Sequence, residues 1–337
     1  RGLFIDERRA TLEQAKIYQQ STQFEQRSMV NNLLLDASSA YWNWFNAYHV
    51  MNVYEEAVDF ANIRFEGVKE LFNQGDKPGL DTVEARIQLQ NRIIALETAR
   101  LDYNNAKAYL GVFLWADGET PLEIQPLTYP ESISNQNPQA VGNLGSSINL
   151  IDVHPDLQQY RLYVQSIGVD VSLAREMLKP TVDMKYNALN KGASGGSSEF
   201  VEQYSLQNYT WGVSVEMPLF LRKERGDLQK SSIKFQQATF GLDFKKQELV
   251  AKFNTSLNDL STSNALYFQA AQNADDYLVL LNGERQLFIN GESSLFLVNR
   301  RELGYISARI KQIELLSKNQ LAIIKVEHSL GILGAEE

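Results

Sequence analysis

Apolar side chains recur at every third or fourth position over a long stretch at the start of the chain. This spacing places them on one side of an α-helix. The pattern runs from about Leu12 to Asn73, and a helix of that length is typical of coiled-coil-like packing. The predicted stripe consists of Val30, Leu33, Leu34, Ala37, Tyr41, Trp44, Tyr48, Met51, Val58, Ala61, Phe65, Val68 and Phe72.

A turn interrupts this helix at Gln74–Asp81, where two glycines and a proline occur. A second helix is predicted from near Asp81 to about Leu114, and a short connection between two long helices makes an antiparallel hairpin. The same texture returns after Pro218. A second hairpin is predicted there, with its turn at Gly291–Ser294 and its last helix ending near Leu333. We expect both turns at the same end of the molecule.

Two shorter runs, Thr181–Leu189 and Asn208–Met217, alternate between apolar and polar residues. A period of two predicts β-strands with one apolar face, and runs of about 9–11 residues match the length of tilted membrane strands. The apolar face is predicted to hold Val182, Met184, Tyr186, Tyr209, Trp211, Val213 and Val215.

The chain between the hairpins is less regular. Four prolines lie among Asn, Ser, Gly and Gln after Trp115, and His154-Pro155 then begins a helix that Pro180 ends. The predicted organisation is a first long helical hairpin at 1–114, an irregular linker at 115–153, a lead-in helix at 154–180, a β-hairpin at 181–218 and a second long helical hairpin at 219–333.

The two helical hairpins match each other at a constant offset of 216 residues, the separation of Gly75 from Gly291. Gly67 and Gly283 match at the same offset, and the register holds without a gap, which indicates a duplicated unit. The second hairpin follows a helix and a β-hairpin, whereas the first begins at residue 1. We therefore expect this sequence to lack one N-terminal helix and β-hairpin.

Composition narrows the classes of function. The chain has 337 residues and a net charge of −9, which argues against a nucleic-acid partner because phosphate binding needs a basic face. It has no cysteine, so thiolate metal sites and cysteine nucleophiles are excluded. Three histidines, His49, His154 and His328, lack ligand-spaced neighbours. We predict no catalytic, cofactor-binding or metal-binding residues, and therefore not an enzyme.

These features together resemble the TolC family of outer-membrane efflux proteins, and the resemblance covers essentially the whole chain. Order and spacing, rather than any single motif, distinguish the family. The matching segments are Phe72 with Gly75, Leu80–Arg86, Asp102-Tyr103, Leu110-Gly111, His154–Leu157, Lys179-Pro180, Pro218–Phe220, Gly291–Leu295 and Leu330-Gly331.

The resemblance implies a mostly α fold, with duplicated long antiparallel hairpins forming a coiled-coil-like α-barrel tunnel. The β-hairpin would contribute to a trimeric outer-membrane β-barrel. The implied function is a passive exit duct for small molecules or proteins in a tripartite efflux or type I secretion system. The implied partners are two further copies, a periplasmic adaptor, an inner-membrane pump or ATPase, and the lipid of a Gram-negative outer membrane with a periplasmic extension.

The resemblance also implies site residues. In such proteins the helical tips close the tunnel and meet the adaptor, and the outer face of the strands meets lipid. The tip residues here are Gly75, Asp76, Lys77, Gly79, Asp81, Gly291, Glu292, Ser293 and Ser294. In relatives, acidic residues follow the second turn, but Leu297–Arg300 carries none, so this repeat predicts no acidic constriction.

Two alternatives stay open on the sequence. The tip residues would merely form soluble turns in one of them. In the other, the protein is a soluble periplasmic coiled-coil structural or adaptor protein, and its apolar strand face is buried under other side chains.

Overall fold

A computed structural model describes residues 5–125, 127–136, 138, 142–188, 209–217 and 220–334. Its α-helices are α1 (Glu7–Asn73), α2 (Gly79–Gly111), α3 (Pro155–Glu176), α4 (Arg222–Ile289) and α5 (Leu295–Leu330). Its strands are β1 (Trp115–Ala116), β2 (Thr120–Pro121), β3 (Thr181–Ala188) and β4 (Tyr209–Glu216), with 3₁₀ turns at Ile133–Asn135 and Gly142–Val153.

The chain divides into two compact units. The strand-bearing unit comprises Arg1–Gln26 and Pro155–Glu248, and the tip-bearing unit comprises Arg27–His154 and Leu249–Glu337. None of the helices in the described ranges is both long and apolar enough to cross a membrane.

The predicted long helices are confirmed, with small differences at their ends. α2 ends at Gly111 rather than near Leu114, because the amide groups of Phe113 and Leu114 bond to carbonyls three residues back before the chain enters β1. The last helix ends at Leu330 rather than Leu333, because Gly331 adopts a left-handed conformation with φ of 72° and caps it.

The duplication is confirmed in the helix boundaries. α1 ends at Asn73 and α4 at Ile289, while α2 begins at Gly79 and α5 at Leu295. Both pairs of positions differ by the same offset that relates Gly75 to Gly291. The breaks in the helices are therefore set by equivalent residues in the two repeats.

In the strand-bearing unit, helices from distant parts of the chain pack closely. The Gln14 amide donates a 2.7 Å hydrogen bond to Asp170 on α3. Gly241 on α4 lies against Tyr160, and a Cβ at this glycine would fall 2.3 Å from the phenol oxygen. The helices can approach at this point only because residue 241 has no side chain.

In the tip-bearing unit, α1 and α5 run antiparallel along a shared seam. Asn31 on α1 donates a 3.0 Å hydrogen bond to the His328 carbonyl, and Phe45 packs with Leu315 and Leu316 in the core. Further along, Val68 packs with Leu295, next to the second turn. The two turns therefore lie at the same end, as predicted.

Candidate functional site

The two helical turns have the same backbone conformation. Gly75 and Gly291 adopt left-handed φ angles of 87° and 79°. In the first turn, the amide groups of Gly75 and Asp76 bond to the carbonyls of Phe72 and Leu71, and the second turn repeats both bonds at the equivalent positions. This Schellman arrangement ends each long helix and satisfies its last carbonyl groups.

The side chains of the first turn face solvent or an aromatic ring. The Lys77 ammonium lies 5.6 Å from the centroid of the Phe288 ring, which belongs to the other hairpin. Asp76 is exposed, and Asp81 lies in the first turn of α2, where a carboxylate is favourable to the helix dipole. Gly79 lies beside Phe72, and a Cβ there would fall 3.2 Å from the ring.

The second turn is held by side-chain hydrogen bonds. Glu284 on α4 accepts a hydrogen bond from the Ser293 hydroxyl and pairs with the Arg301 guanidinium at 3.4 Å. The Ser294 hydroxyl accepts from the Leu297 amide at 3.4 Å and so caps α5. Glu292 remains exposed.

An arginine–glutamate cluster that the sequence pattern did not predict lies in the tip-bearing unit. Glu302 on α5 is buried, and three arginines from three other helices converge on its carboxylate: Arg64 by a direct hydrogen bond, Arg92 at 3.7 Å and Arg285 at 3.8 Å. Burial lowers the pKa of Arg92, and the Glu302 carboxylate partly offsets this effect. The cluster joins the two hairpins through charge.

Asn299, one helical turn before Glu302, extends this cluster. Its carbonyl oxygen accepts from Arg64, and its amide donates to Glu84 on α2 at 3.4 Å. Asn299 and Glu302 are three residues apart and lie between the buried apolar residues Val298 and Ile306. This spacing is the feature of the sequence that could have indicated buried polar groups. Polar groups on a buried helix face require partners, although the pattern does not name them.

The predicted apolar residues of the two strands lie on one face of the strand pair. In the antiparallel register Val182 is opposite Val215, Met184 opposite Val213, and Tyr186 opposite Trp211. Tyr209 lies in β4 on the same side of the register, but its side chain is outside the described part of the chain. The described members of the apolar face are all exposed, with 80% of Met184 and 66% of Trp211 accessible.

The polar face of the strand pair has a different environment. Asp183, Lys185 and Glu216 line a cleft of about 950 Å³ in the strand-bearing unit. The residues across the cleft come from the start of α1 and the end of α3. The hairpin therefore has an exposed apolar side and a charged side that lines the cleft.

Two of the histidines take part in structural contacts within the tip-bearing unit. His49 lies 3.0 Å from the Glu131 carbonyl, and burial lowers its pKa. His328 lies 2.8 Å from the side-chain oxygen of Asn32.

Comparisons with known proteins agree with this architecture. The family model described as outer membrane efflux protein matches residues 3–113 and 149–331. No curated protein sequence matches the chain.

Several solved structures share the fold. The CmeC outer membrane channel of Campylobacter jejuni aligns with a TM-score of 0.75 at 15% identity, over 98% of this chain and 69% of that one. VceC of Vibrio cholerae gives 0.77 at 14% identity, over 96% and 75%. The open state of the Neisseria gonorrhoeae MtrE outer membrane channel gives 0.73 at 13% identity, over 96% and 72%.

Proposed function

Because the chain belongs to the outer membrane efflux protein family and is a subunit of an outer-membrane efflux channel, we propose that it works as a passive exit duct. In this proposal three copies assemble into the duct. A periplasmic adaptor and an inner-membrane pump or secretion ATPase deliver small molecules or proteins to it. The observation that carries the proposal is the family match over both helical hairpins. Family membership rules out the alternative of a soluble periplasmic protein.

The strand pair is the part of the chain that we assign to membrane lipid. Its apolar face carries Met184, Tyr186, Trp211 and Val213, which are all exposed, and exposed apolar patches mark contact surfaces. The opposite face carries charged residues around a cleft, as expected for a surface in contact with water. Val182, Val215 and Tyr209 complete the proposed lipid surface.

The tips are the part that we assign to gating and adaptor contact. The long helices are stabilised along their packed stripes, so their ends can move with little loss of core. The turns carry Asp76 and Glu292 exposed and Lys77 and Asp81 half-buried, and a partner that docks on the turns can reach these charged groups. Gly75, Gly79, Gly291, Ser293 and Ser294 supply the turn geometry. In this proposal the charged groups contact neighbouring hairpins when the mouth is closed.

Lipid contact is tested with Trp211. Vesicles made with brominated lipids quench the fluorescence of a tryptophan that touches acyl chains, and the other tryptophans, Trp42, Trp44 and Trp115, lie outside β3 and β4. We expect quenching in the parent protein and its loss in Trp211→Phe. Equal quenching in both proteins would contradict the assignment of this face to lipid.

Gating is tested with the double variant Lys77→Ala and Asp81→Ala. Removing contacts across the mouth should raise single-channel conductance or antibiotic leakage at unchanged channel yield. The matched control is Glu66→Ala with Lys69→Ala, which removes an exposed 3.1 Å ion pair from α1 outside the turn. If conductance, leakage and adaptor crosslinking all equal those of the control, these two residues have no part in the gate.

A further inference from the structure

A cavity of about 430 Å³ lies within the tip-bearing unit, between α1, α4 and α5. This volume falls in the range of about 300–1,000 Å³ that small-molecule sites occupy, and such sites combine apolar walls with a few polar groups. Each of the three helices contributes aliphatic side chains to the walls. They are Val53, Ala57, Leu278, Leu281, Ile306 and Ile313.

Four charged side chains also line the cavity. Arg285 and Glu302 lie at the end nearer the turns, where the Glu302 carboxylate is shared among three arginines. Arg309 lies seven residues further along α5, which is about 10 Å at 1.5 Å per residue. Glu56 is exposed to solvent at the opening. His49 adds no charge at neutral pH, because burial lowers its pKa.

Arg309 lines the cavity without a counter-ion. Its guanidinium donates a 2.6 Å hydrogen bond to the side-chain oxygen of Gln312, a neutral group. Among the residues that the structure describes, no carboxylate lies within ion-pair distance of it. The side chain is half-buried, and a partly desolvated guanidinium favours an anionic partner that can accept its remaining hydrogen bonds.

The other repeat shows that helix packing does not require these polar groups. At the offset of 216 residues, Arg309 corresponds to Ile93, Tyr305 to Leu89 and His49 to Ala265. α2 and α4 form with aliphatic residues at these positions. The arginine, the tyrosine and the histidine are therefore a feature of one repeat, and the duplicated framework alone does not account for them.

We propose that this cavity binds a small organic monocarboxylate, whose carboxylate pairs with Arg309 and whose apolar body packs on the aliphatic walls. The planar fork of an arginine matches the two oxygens of a carboxylate. Asn52 and Tyr305 also line the cavity and supply further hydrogen-bond donors. Phe60, which is 45% exposed, lies beside the opening and offers an aromatic surface to an entering ligand.

The charges around the cavity select a monoanion. One negative charge balances Arg309, whereas a dianion such as phosphate would also be repelled by Glu302 and Glu56. The aliphatic walls favour a ligand with an apolar body over an inorganic anion, because burial of apolar surface adds to the binding free energy.

Fluorine NMR titrations of the detergent-purified full chain test this site. The probe is 4-fluorophenylacetate, and 4-fluorophenylacetamide has nearly the same shape without the charge. We expect the carboxylate to bind about tenfold or more tightly than the amide. Arg309→Met, which removes the guanidinium and keeps an unbranched side chain, should weaken carboxylate binding about ten- to hundredfold and leave amide binding unchanged.

Lys311→Met is the matched control, because it removes a cation from the same helix. The Lys311 ammonium is exposed and pairs with Glu314 at 3.1 Å. This variant should bind both probes as the parent does. If it loses carboxylate binding as Arg309→Met does, the effect is one of general charge and the proposed site is wrong.

Val53→Phe supplies a second test that keeps every charge. The larger side chain narrows the cavity, so binding of both probes should weaken. Equal binding of the two probes to the parent would overturn the proposal, and so would carboxylate binding that survives either Arg309→Met or Val53→Phe. The titration needs no conducting channel, so its failure would leave the proposed exit duct standing.

Discussion

The two helical turns share a backbone and differ in the side chains that hold it. In the first hairpin, Val68 and Ala85 are buried together against Leu295. In the second hairpin, the equivalent positions hold Glu284 and Arg301, which form an ion pair. One tip is thus packed by apolar contact and the other is braced by charge. The comparison teaches that two turns with the same backbone conformation, each with a left-handed glycine, can be held by different flanking side chains.

The arginine–glutamate cluster is a larger asymmetry between the repeats. The counterpart of Glu302 is Arg86, and the counterpart of Arg64 is Leu280, so the equivalent positions cannot repeat the Arg64–Glu302 pair. Glu302→Gln removes the carboxylate charge from beside three arginines, and we expect it to lower the free energy of unfolding by about 3–5 kcal/mol. Urea unfolding followed by tryptophan fluorescence measures this. Glu314→Gln on the same helix, which weakens only the 3.1 Å pair with Lys311, should cost less than about 1 kcal/mol. Equal losses in the two variants would show that the cluster does not stabilise the fold.

Substitutions of the two turn glycines test the backbone conformation that the two turns share. Gly75→Ala and Gly291→Ala force a Cβ into the left-handed region, with no neighbouring atom close enough to clash. Each should cost about 1–2 kcal/mol of unfolding free energy, and the two losses should be similar. Gly67→Ala, in the helix interior and also in open space, should instead stabilise by about 0.5–1 kcal/mol. Clearly unequal losses at Gly75 and Gly291 would show that the flanking side chains matter to the turn.

The ion pair of the second tip can be replaced by the apolar residues found at the equivalent positions of the first tip. Glu284→Val and Arg301→Ala recreate the residues of the first hairpin, and each single change leaves a charge without its partner. A double-mutant cycle on unfolding free energy should give a favourable coupling of about 0.5–1 kcal/mol. Additive single effects would mean that the ion pair contributes nothing to the tip.

The smallest expected difference is in pH response. Burial lowers the pKa of His49, and its counterpart in the second hairpin is Ala265. A histidine with a lowered folded-state pKa takes up fewer protons folded than unfolded as pH falls below its ordinary value of about 6.5, so stability decreases with acidification. Arg309 opposes the charged form, and the Glu131 carbonyl favours it. The urea midpoint should fall less between pH 7.5 and 5.5, a range spanning that value, in His49→Gln than in the parent. Identical slopes would exclude His49 as a source of the pH response.

Sequence periodicity predicted the helices, the turns and the repeat because these features depend on local spacing. A stripe such as Val58, Ala61 and Phe65 indicates that a helix face is covered, and a glycine followed by a proline indicates where the helix stops. The shared face of Tyr186 and Trp211 followed from strict alternation in the same way. These signals lie within a few residues of each other.

Side-chain partners at the tips were not predictable by the same means. The pairing of Arg64 with Glu302 joins residues on opposite sides of the duplication, and no spacing rule connects them. The sequence around Glu284 is typical of an exposed helix surface, and its partners Ser293 and Arg301 are identified only by the structure.

The two long helices α1 and α4 are almost equal in length. α1 has 67 residues and α4 has 68, and the extra residue of α4 lies at its start, away from the turn. One residue inserted into α1 alone would shift its turn by about 1.5 Å and rotate it by about 100°. Gly75 and Gly291 would then no longer be level. Insertions and deletions in this protein should therefore be tolerated in the segments between the hairpins. Within α1 and α4 they should be tolerated only when both helices change by the same number of residues.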